Sequence, residues 1–461
     1  MQKKLFATAL AAATGFVVSQ GALATDGYFA HGYGMKAKGM GGAAIAVAQD
    51  AFGGANNPAT MAFVGNQFAI GVDWFSPHRK VERSGSPAFA DLNGSADSGS
   101  TNFFIPEGAV NYMLRPDLAI GLTVYGNGGM NTDFPGGQIT SPSGTGTCNF
   151  FQTGGMAPAR SNYNLLCGNG TLGVDMAQVV VAPTLSWKFT EGHSVGIAPL
   201  FAYQYFEAEG LQAFGGLSTT LNPTTGANGS LTNNGRDSST GWGARIGYYG
   251  TLTKQIQIGA TYQTKISMGN FDKYKGLFAE SGGFDIPSNW GIGVAIRPSE
   301  PWLIALDYER INYSDVASVN NRSTLILGCP PFGTNPGNCL GGPNGAGFGW
   351  QSINVFKLGV QYAVNANWTV RAGYNYSENP IESQDVTFNM IAPGVIKNHV
   401  TLGATWTDKQ NEFTGAFMYA FENSVTGPSL FNNFFPPNSS NMQEKIQMYQ
   451  YSFGLQYARK F

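Results

Sequence analysis

The chain has 461 residues, of which 12% are charged, 13% are aromatic and 63 are glycine, with a formal net charge of −2. That charge density is about half the globular norm of roughly 25%, too low for an ordinary water-facing surface. The near-neutral balance offers nothing to a nucleic-acid backbone. Beyond the N-terminal leader no apolar run reaches the ~18 residues that a membrane helix needs. Few charges, many aromatics and glycines and no spanning helix point instead to a transmembrane antiparallel β-barrel.

Residues 1–24 read as a secretory signal: Lys3 and Lys4 form a positive start, Leu5 to Val18 an apolar core, and Ala22-Leu23-Ala24 a small-residue cleavage site. The mature chain is then expected to begin near Thr25, after export from a bacterial cytoplasm. Residues 25–65 are rich in Gly and Ala and lack the alternation that follows. Met40 to Gln49 is mildly helical in pattern, Gly53-Gly54 stops it, and Asn56-Asn57-Pro58-Ala59 reads as a tight turn. Between a leader and a barrel, such a segment suits a plug inside the lumen; a loose N-terminal tail is the alternative.

From residue 66 to 461 the pattern becomes period-two segments. In the clearest, Val179, Val181, Leu185, Trp187 and Phe189 share one face, opposite Gln178, Ala182, Thr184, Ser186 and Lys188. Fourteen strands are predicted, at 66–76, 102–114, 118–130, 174–189, 193–208, 239–253, 256–269, 286–298, 301–313, 352–363, 367–378, 397–407, 411–423 and 446–461. Their connections alternate strictly between short and long, which places short turns in the periplasm and long loops outside. A soluble sandwich has no reason to segregate loop lengths in this way. The last strand alternates Tyr449, Tyr451, Phe453, Leu455 and Tyr457 with Gln450, Ser452, Gly454 and Gln456, and the sequence closes on Phe461.

The four cysteines fall as two local pairs in Gly- and Asn-rich connections, and their locality predicts disulfides Cys148–Cys167 and Cys329–Cys339 in outer loops. Neither pair has the C-x₂₋₄-C spacing of a zinc site, and no metal or cofactor is expected. Arg245, Lys265, Lys357 and Arg371 fall at inward-phase positions, where they can meet a carboxylate or pair with Asp307 and Glu309. Inward Leu200, Phe206 and Met418 make the lumen less polar than a water-filled pore. The third strand contains Asn127, Gly128, Gly129 and Met130, and glycines within a strand mark bulges or bends. A broken ladder there opens a side window; the alternative is a strand that ends early.

Several of these residues carry a resemblance. Gly39-Met40-Gly41-Gly42-Ala43 and Asn57-Pro58-Ala59 resemble the hatch of the FadL-type outer-membrane transporters of long-chain fatty acids and aromatic hydrocarbons. The run from Tyr125 to Phe134 resembles that family's kinked third strand, and Tyr274-Lys275-Gly276, Ile286 to Trp290 and Trp302 to Tyr308 its seventh-to-ninth strands. The resemblance implies a monomeric barrel in the bacterial outer membrane, among its lipids and lipopolysaccharide. It also implies passive transport of a hydrophobic molecule with lateral exit at the kink. Long-chain fatty acids or related lipophiles are the expected substrates, aromatic hydrocarbons of the toluene type the alternative, and a general porin a weaker one. Asn57, Pro58, Ala59 and Asn127 to Met130 would form the gate. Two cysteine pairs and the long loop 131–173 depart from the pattern, so surface capture rests on Phe150, Phe151, Phe214 and Leu217 by composition alone. None of His31, His78, His193 and His399 stands in an evident Ser/His/acid arrangement, so an enzyme is not expected.

Overall fold

Alternation at period two leaves each strand with one apolar and one polar face, and closing the sheet on itself sends the apolar face to lipid and removes both edges. The computed structural model describes residues 25–88, 90–140, 147–148, 162–221 and 229–461. It contains a closed barrel of fourteen principal strands, β1 (Gln67–Ser84), β2 (Phe103–Arg115), β3 (Leu118–Phe134), β4 (Leu172–Thr190), β5 (His193–Glu209), β6 (Asp237–Thr251), β7 (Ile256–Gln263), β8 (Asn289–Ile296), β9 (Trp302–Ile311), β10 (Ile353–Ala363), β11 (Trp368–Ser377), β12 (Asn398–Asp408), β13 (Asn411–Pro428) and β14 (Gln443–Lys460). Each pairs antiparallel with its chain neighbours, and β14 closes on β1 from Gln67↔Lys460 to Ser84↔Gln443.

The faces sort as the alternation predicts. Leu185, Trp187, Val195, Ile197 and Phe201 are exposed on the outside, while Gln178, Ser186, Ser194 and Gln204 are buried within. Exposed Trp187, Trp302, Trp368 and Trp406 lie near the short turns and Trp242 and Trp290 nearer the outer ends, as in the two girdles of a membrane barrel. Leu200, Phe206 and Met418 are buried inside.

Strand boundaries differ most at β1, β7 and β13. The pattern-based end of β1 at residue 76 is corrected to Ser84. Pro77 does not stop it, because pairing with β2 has already ended at Phe75↔Phe103 and pairing with Gly94–Asp97 resumes only at Lys80. On that edge the missing N–H leaves no ladder bond unmade. β7 ends at Gln263, and Ser267–Met268 returns as a short separate pairing with β6. Both expected disulfides are formed, Cys148–Cys167 and Cys329–Cys339, in the β3–β4 and β9–β10 connections.

Candidate functional site

The polar, glycine-containing inner wall has to be covered by something, and residues 25–62 supply the cover: nearly all of them are buried. Lys38 Nζ lies 2.9 Å from Asp73 on β1 and 3.5 Å from Glu107 on β2. Lys36 pairs with Glu412 on β13 at 2.6 Å. The amides of Ala44 and Ile45 donate to Asp307 Oδ2 on β9 at 2.7 and 2.9 Å, and Gly41 N donates to Thr401 on β12. The segment is thus fastened across the barrel by groups facing inward from several sides.

Asn57, Pro58 and Ala59 meet the wall at β4 to β6. Asn57 Nδ2 donates to the carbonyls of Ile45 (2.8 Å) and Tyr248 (2.9 Å), and its Oδ1 accepts from Ala59 N at 3.1 Å. Ser186 and Ser194 both donate to the Ala59 carbonyl, at 2.9 and 2.7 Å. The wall residues here are Gly196 and Gly247, where a Cβ would overlap Pro58 or the Asn57 side chain.

At the third strand a bulge interrupts the β3–β4 register between Gly126 and Gly128. On the other edge of β3, pairing with β2 extends only from Arg115↔Leu118 to Gly108↔Val124. Beyond it Phe103 to Glu107 pair with β1, and Tyr125 to Phe134 pair with β4. Among the described residues these two stretches are not paired with each other, so the wall parts between β2 and β3. The freed edge of β3 is met from within: Ala30 N donates to Asn127 O (3.1 Å) and Gly129 N to Tyr28 O (3.2 Å). Gly128 permits this approach, since a Cβ would overlap the Tyr28 carbonyl. Asn127 faces inward and starts a row of amides, donating to Gln178 (3.0 Å), which donates to Gln204 (3.1 Å), which donates to Ser239 (3.0 Å).

Above this row lies an apolar cavity of about 40 Å³, lined by Phe206, Leu211, Phe214, Leu277, Phe278, Leu340, Phe348, Phe388, Ile391 and smaller neighbours, none of them charged. Its lining comes from the outer part of β5 and from five outer connections, Leu166 representing the β3–β4 one, and is invisible to any local pattern. From the cavity a line of ring contacts leads inward: Phe206 to Phe278 (4.6 Å), Phe278 to Phe284 (4.9 Å) and Phe284 to Tyr28 (6.2 Å). Tyr28 is the residue bonded to the bulge.

The remaining sequence-nominated residues divide. Arg245, Lys357 and Arg371 are buried inside. Lys357 pairs with Glu309 at 2.7 Å, and Arg371 donates to Gln361 and Thr405. Arg245 donates to Gln263, but its Nε and Nη1 have no hydrogen-bond partner among the described residues. Lys265 does not join them: it lies past the end of β7, its side chain 42% exposed, and pairs with Asp285 at 2.8 Å, a bond that raises its pKa. Phe214 and Leu217 are buried beneath the outer loops rather than displayed on them, and Phe214 lines the cavity. Phe150 and Phe151 lie outside the described residues. Met130 is buried in β3.

The model of a protein family described as outer membrane protein transport protein (OMPP1/FadL/TodX) matches residues 146–461. The fold is similar to the crystal structure of the Pseudomonas putida toluene transporter TodX, with a TM-score of 0.65 and 19% identity over 94% of this chain and 99% of that one. It is also similar to a Pseudomonas aeruginosa FadL homologue (TM-score 0.63, 14% identity, 94% and 100% covered) and to the Ralstonia pickettii toluene transporter TbuX (0.59, 17%, 94% and 99%). No curated protein sequence matches significantly. With the family model covering more than half of it, a closed barrel and an apolar chamber beneath its outer loops, this chain belongs to the FadL/TodX family of outer-membrane transporters of hydrophobic compounds.

Proposed function

We propose that this transporter carries small neutral hydrophobic molecules, with monoaromatic hydrocarbons as the leading class, into the outer membrane through the gap between β2 and β3. The observation that carries the reading is the uncharged cavity joined by ring contacts to Tyr28, which itself seals the freed edge of β3. In this reading residues 25–65 act as a hatch that closes the vertical path, and withdrawal of residues 28–30 connects cavity and gap. Lateral exit spares the substrate a passage through periplasmic water, which costs roughly 0.8 kcal/mol per CH₂. The cavity of about 40 Å³ is smaller than the ~150 Å³ that admits benzene in an engineered core, so substrate enters only when the lining moves.

A second reading, uptake of long-chain fatty acids, is favoured by Arg245, a buried cation with two donors free for a carboxylate. The test compares uptake of labelled toluene and labelled oleate by a transporter-deleted host carrying either the natural chain or one with Asn127 deleted to remove the bulge. Toluene uptake by the natural chain, lost on deletion while the barrel still folds, is expected. Oleate uptake alone would decide for fatty acids, and unchanged uptake in the deletion would overturn lateral exit.

A further inference from the structure

The strands that dock residues 57–59 from inside carry a groove on their lipid-facing side. It spans β4 to β7, has a volume of about 580 Å³, and is lined by Trp187, Val195, Ile197, Ile246, Ala260 and Tyr262 among others. That volume is in the range of sites that enclose a small ligand. Gly196 and Gly247, paired across β5 and β6, also border it, and their missing side chains leave only backbone between groove and lumen. The lining flanks the short turns at 190–192 and 252–255, so the groove opens on the periplasmic half of the barrel, where the inner leaflet lies.

The mouth of the groove is polar and aromatic. Rings follow one another across three strands there: Trp187 to Phe189 at 6.2 Å, Phe189 to His193 at 6.3 Å and His193 to Tyr248 at 6.1 Å. His193 Nδ1 lies 2.8 Å from the Tyr248 hydroxyl. A collar of such side chains stands at headgroup level in a membrane. Lys188 and Lys254 flank it against one acid, Glu191, which favours a phosphate over a bare acyl chain.

Back to back with the groove stands the N-terminal segment, and each strand that lines the groove also holds it. Ser186 on β4 and Ser194 on β5 donate to the Ala59 carbonyl, the Tyr248 carbonyl on β6 accepts from Asn57, and at Gly259 on β7 a Cβ would overlap the Ile45 carbonyl. Ser186 sits between Leu185 and Trp187, and Ser194 precedes Val195. Successive side chains of a strand point to opposite faces, so what fills the outer side steadies the hydroxyls on the inner side.

We propose that this groove binds one acyl chain of an inner-leaflet phospholipid, with its phosphate at the His193–Tyr248 mouth, and that the bound lipid tightens the docking of residues 57–59. Coupling between two sites is reciprocal, so docking of the segment tightens the lipid in turn. The inference concerns the outer face of the wall and does not depend on which substrate the transporter carries.

The test uses the full chain in vesicles of phosphatidylethanolamine and phosphatidylglycerol, doped with phosphatidylethanolamine bearing a diazirine in one acyl chain. After photolysis, label on 185–197 and 246–262 is expected at least fivefold above that on 400–417, a lipid-facing stretch of β12 and β13. Equal label on both walls, or equal label in the groove from a diazirine fatty acid that lacks the phosphate, would overturn the site. Ala260→Trp fills the groove from one side and Leu185→Trp from the other. Each is expected to lower groove labelling at least fivefold while the barrel keeps its heat-shifted gel migration, and undiminished label in both folded variants would count against the site. Coupling is read by hydrogen exchange on delipidated chain in detergent. Added phosphatidylethanolamine is expected to slow the Ala59 and Ala62 amides at least threefold and to leave those of Ala44 and Ile45, bonded to Asp307 on β9, unchanged. Asn57→Ala is expected to lower groove labelling in return. No slowing at Ala59, or the same slowing at all four amides, would overturn the coupling.

Discussion

Replacing Lys38 by Met removes the one cation lying between Asp73 and Glu107. The three side chains are 5%, 3% and 3% exposed, and Lys38 Nζ stands 2.9 Å from one carboxylate and 3.5 Å from the other. Breaking a buried pair by deleting one partner costs about 3–5 kcal/mol, because an uncompensated charge is left behind. Here two carboxylates are left facing each other, so the upper part of that range applies. Both belong to β1 and β2, which ladder hydrogen bonds hold in place. The cost therefore falls on docking of the N-terminal segment and leaves the wall intact. At about 1.4 kcal/mol per factor of ten, docking weakens by roughly 10³, up to a few thousandfold. Hydrogen exchange on the purified protein should show amides between 30 and 50 losing protection by that factor, with strand amides unchanged. Conductance across a planar bilayer should rise in step. Adding Asp73→Asn and Glu107→Gln should restore most of the protection. Unaltered exchange in the single variant would refute the argument that this ion cluster fastens the segment.

Two further outcomes follow from the contacts. Gly128→Val should force Tyr28 off the bulge and break the bonds at 3.1 and 3.2 Å, about 2 kcal/mol at ~1 kcal/mol each; exchange at Ala30 and Gly129 reports it, and retained protection there would contradict the account. Asn57→Ala removes two donated bonds and one accepted bond and should loosen residues 57–60 by about 1–2 kcal/mol. Asn57→Asp, which keeps only the acceptor, should recover protection of the Ala59 amide but not the tie to Tyr248.

The barrel was legible because period two is a local property: residues such as Val179 to Phe189 carry their own inside and outside. The third-strand bulge was legible for a similar reason, since a Gly128-Gly129 pair announces a departure from regular pairing. A side window was expected at that broken ladder, but its place between β2 and β3 was not legible, because it consists of pairing that β2 gives to β1 and withholds from β3. Lys265 was misplaced because phase was counted past Gln263, where the strand stops. The cavity escaped for a third reason. Leu211, Phe278, Phe348 and Phe388 each look like an ordinary loop hydrophobe, and only the closing of the barrel brings their four connections over one point.

The lengths of β1 and β14 shape how the outer surface is met. Each has 18 residues, whereas β7 and β8 have 8. A tilted strand crosses the hydrocarbon in about 9–11 residues. With a rise of ~3.3 Å and a tilt of ~40°, the surplus of roughly eight residues lifts one flank about 20 Å above the bilayer core. The barrel therefore has a lopsided rim, with a tower along β13, β14 and β1, a second tall stretch along β3 to β5, and a low parapet at β7 and β8. Phe434 hangs from the tower. Its ring contact with Phe332 at 4.7 Å ties the β9–β10 connection to the tower, so the loops that roof the cavity are braced from the tall side of the barrel.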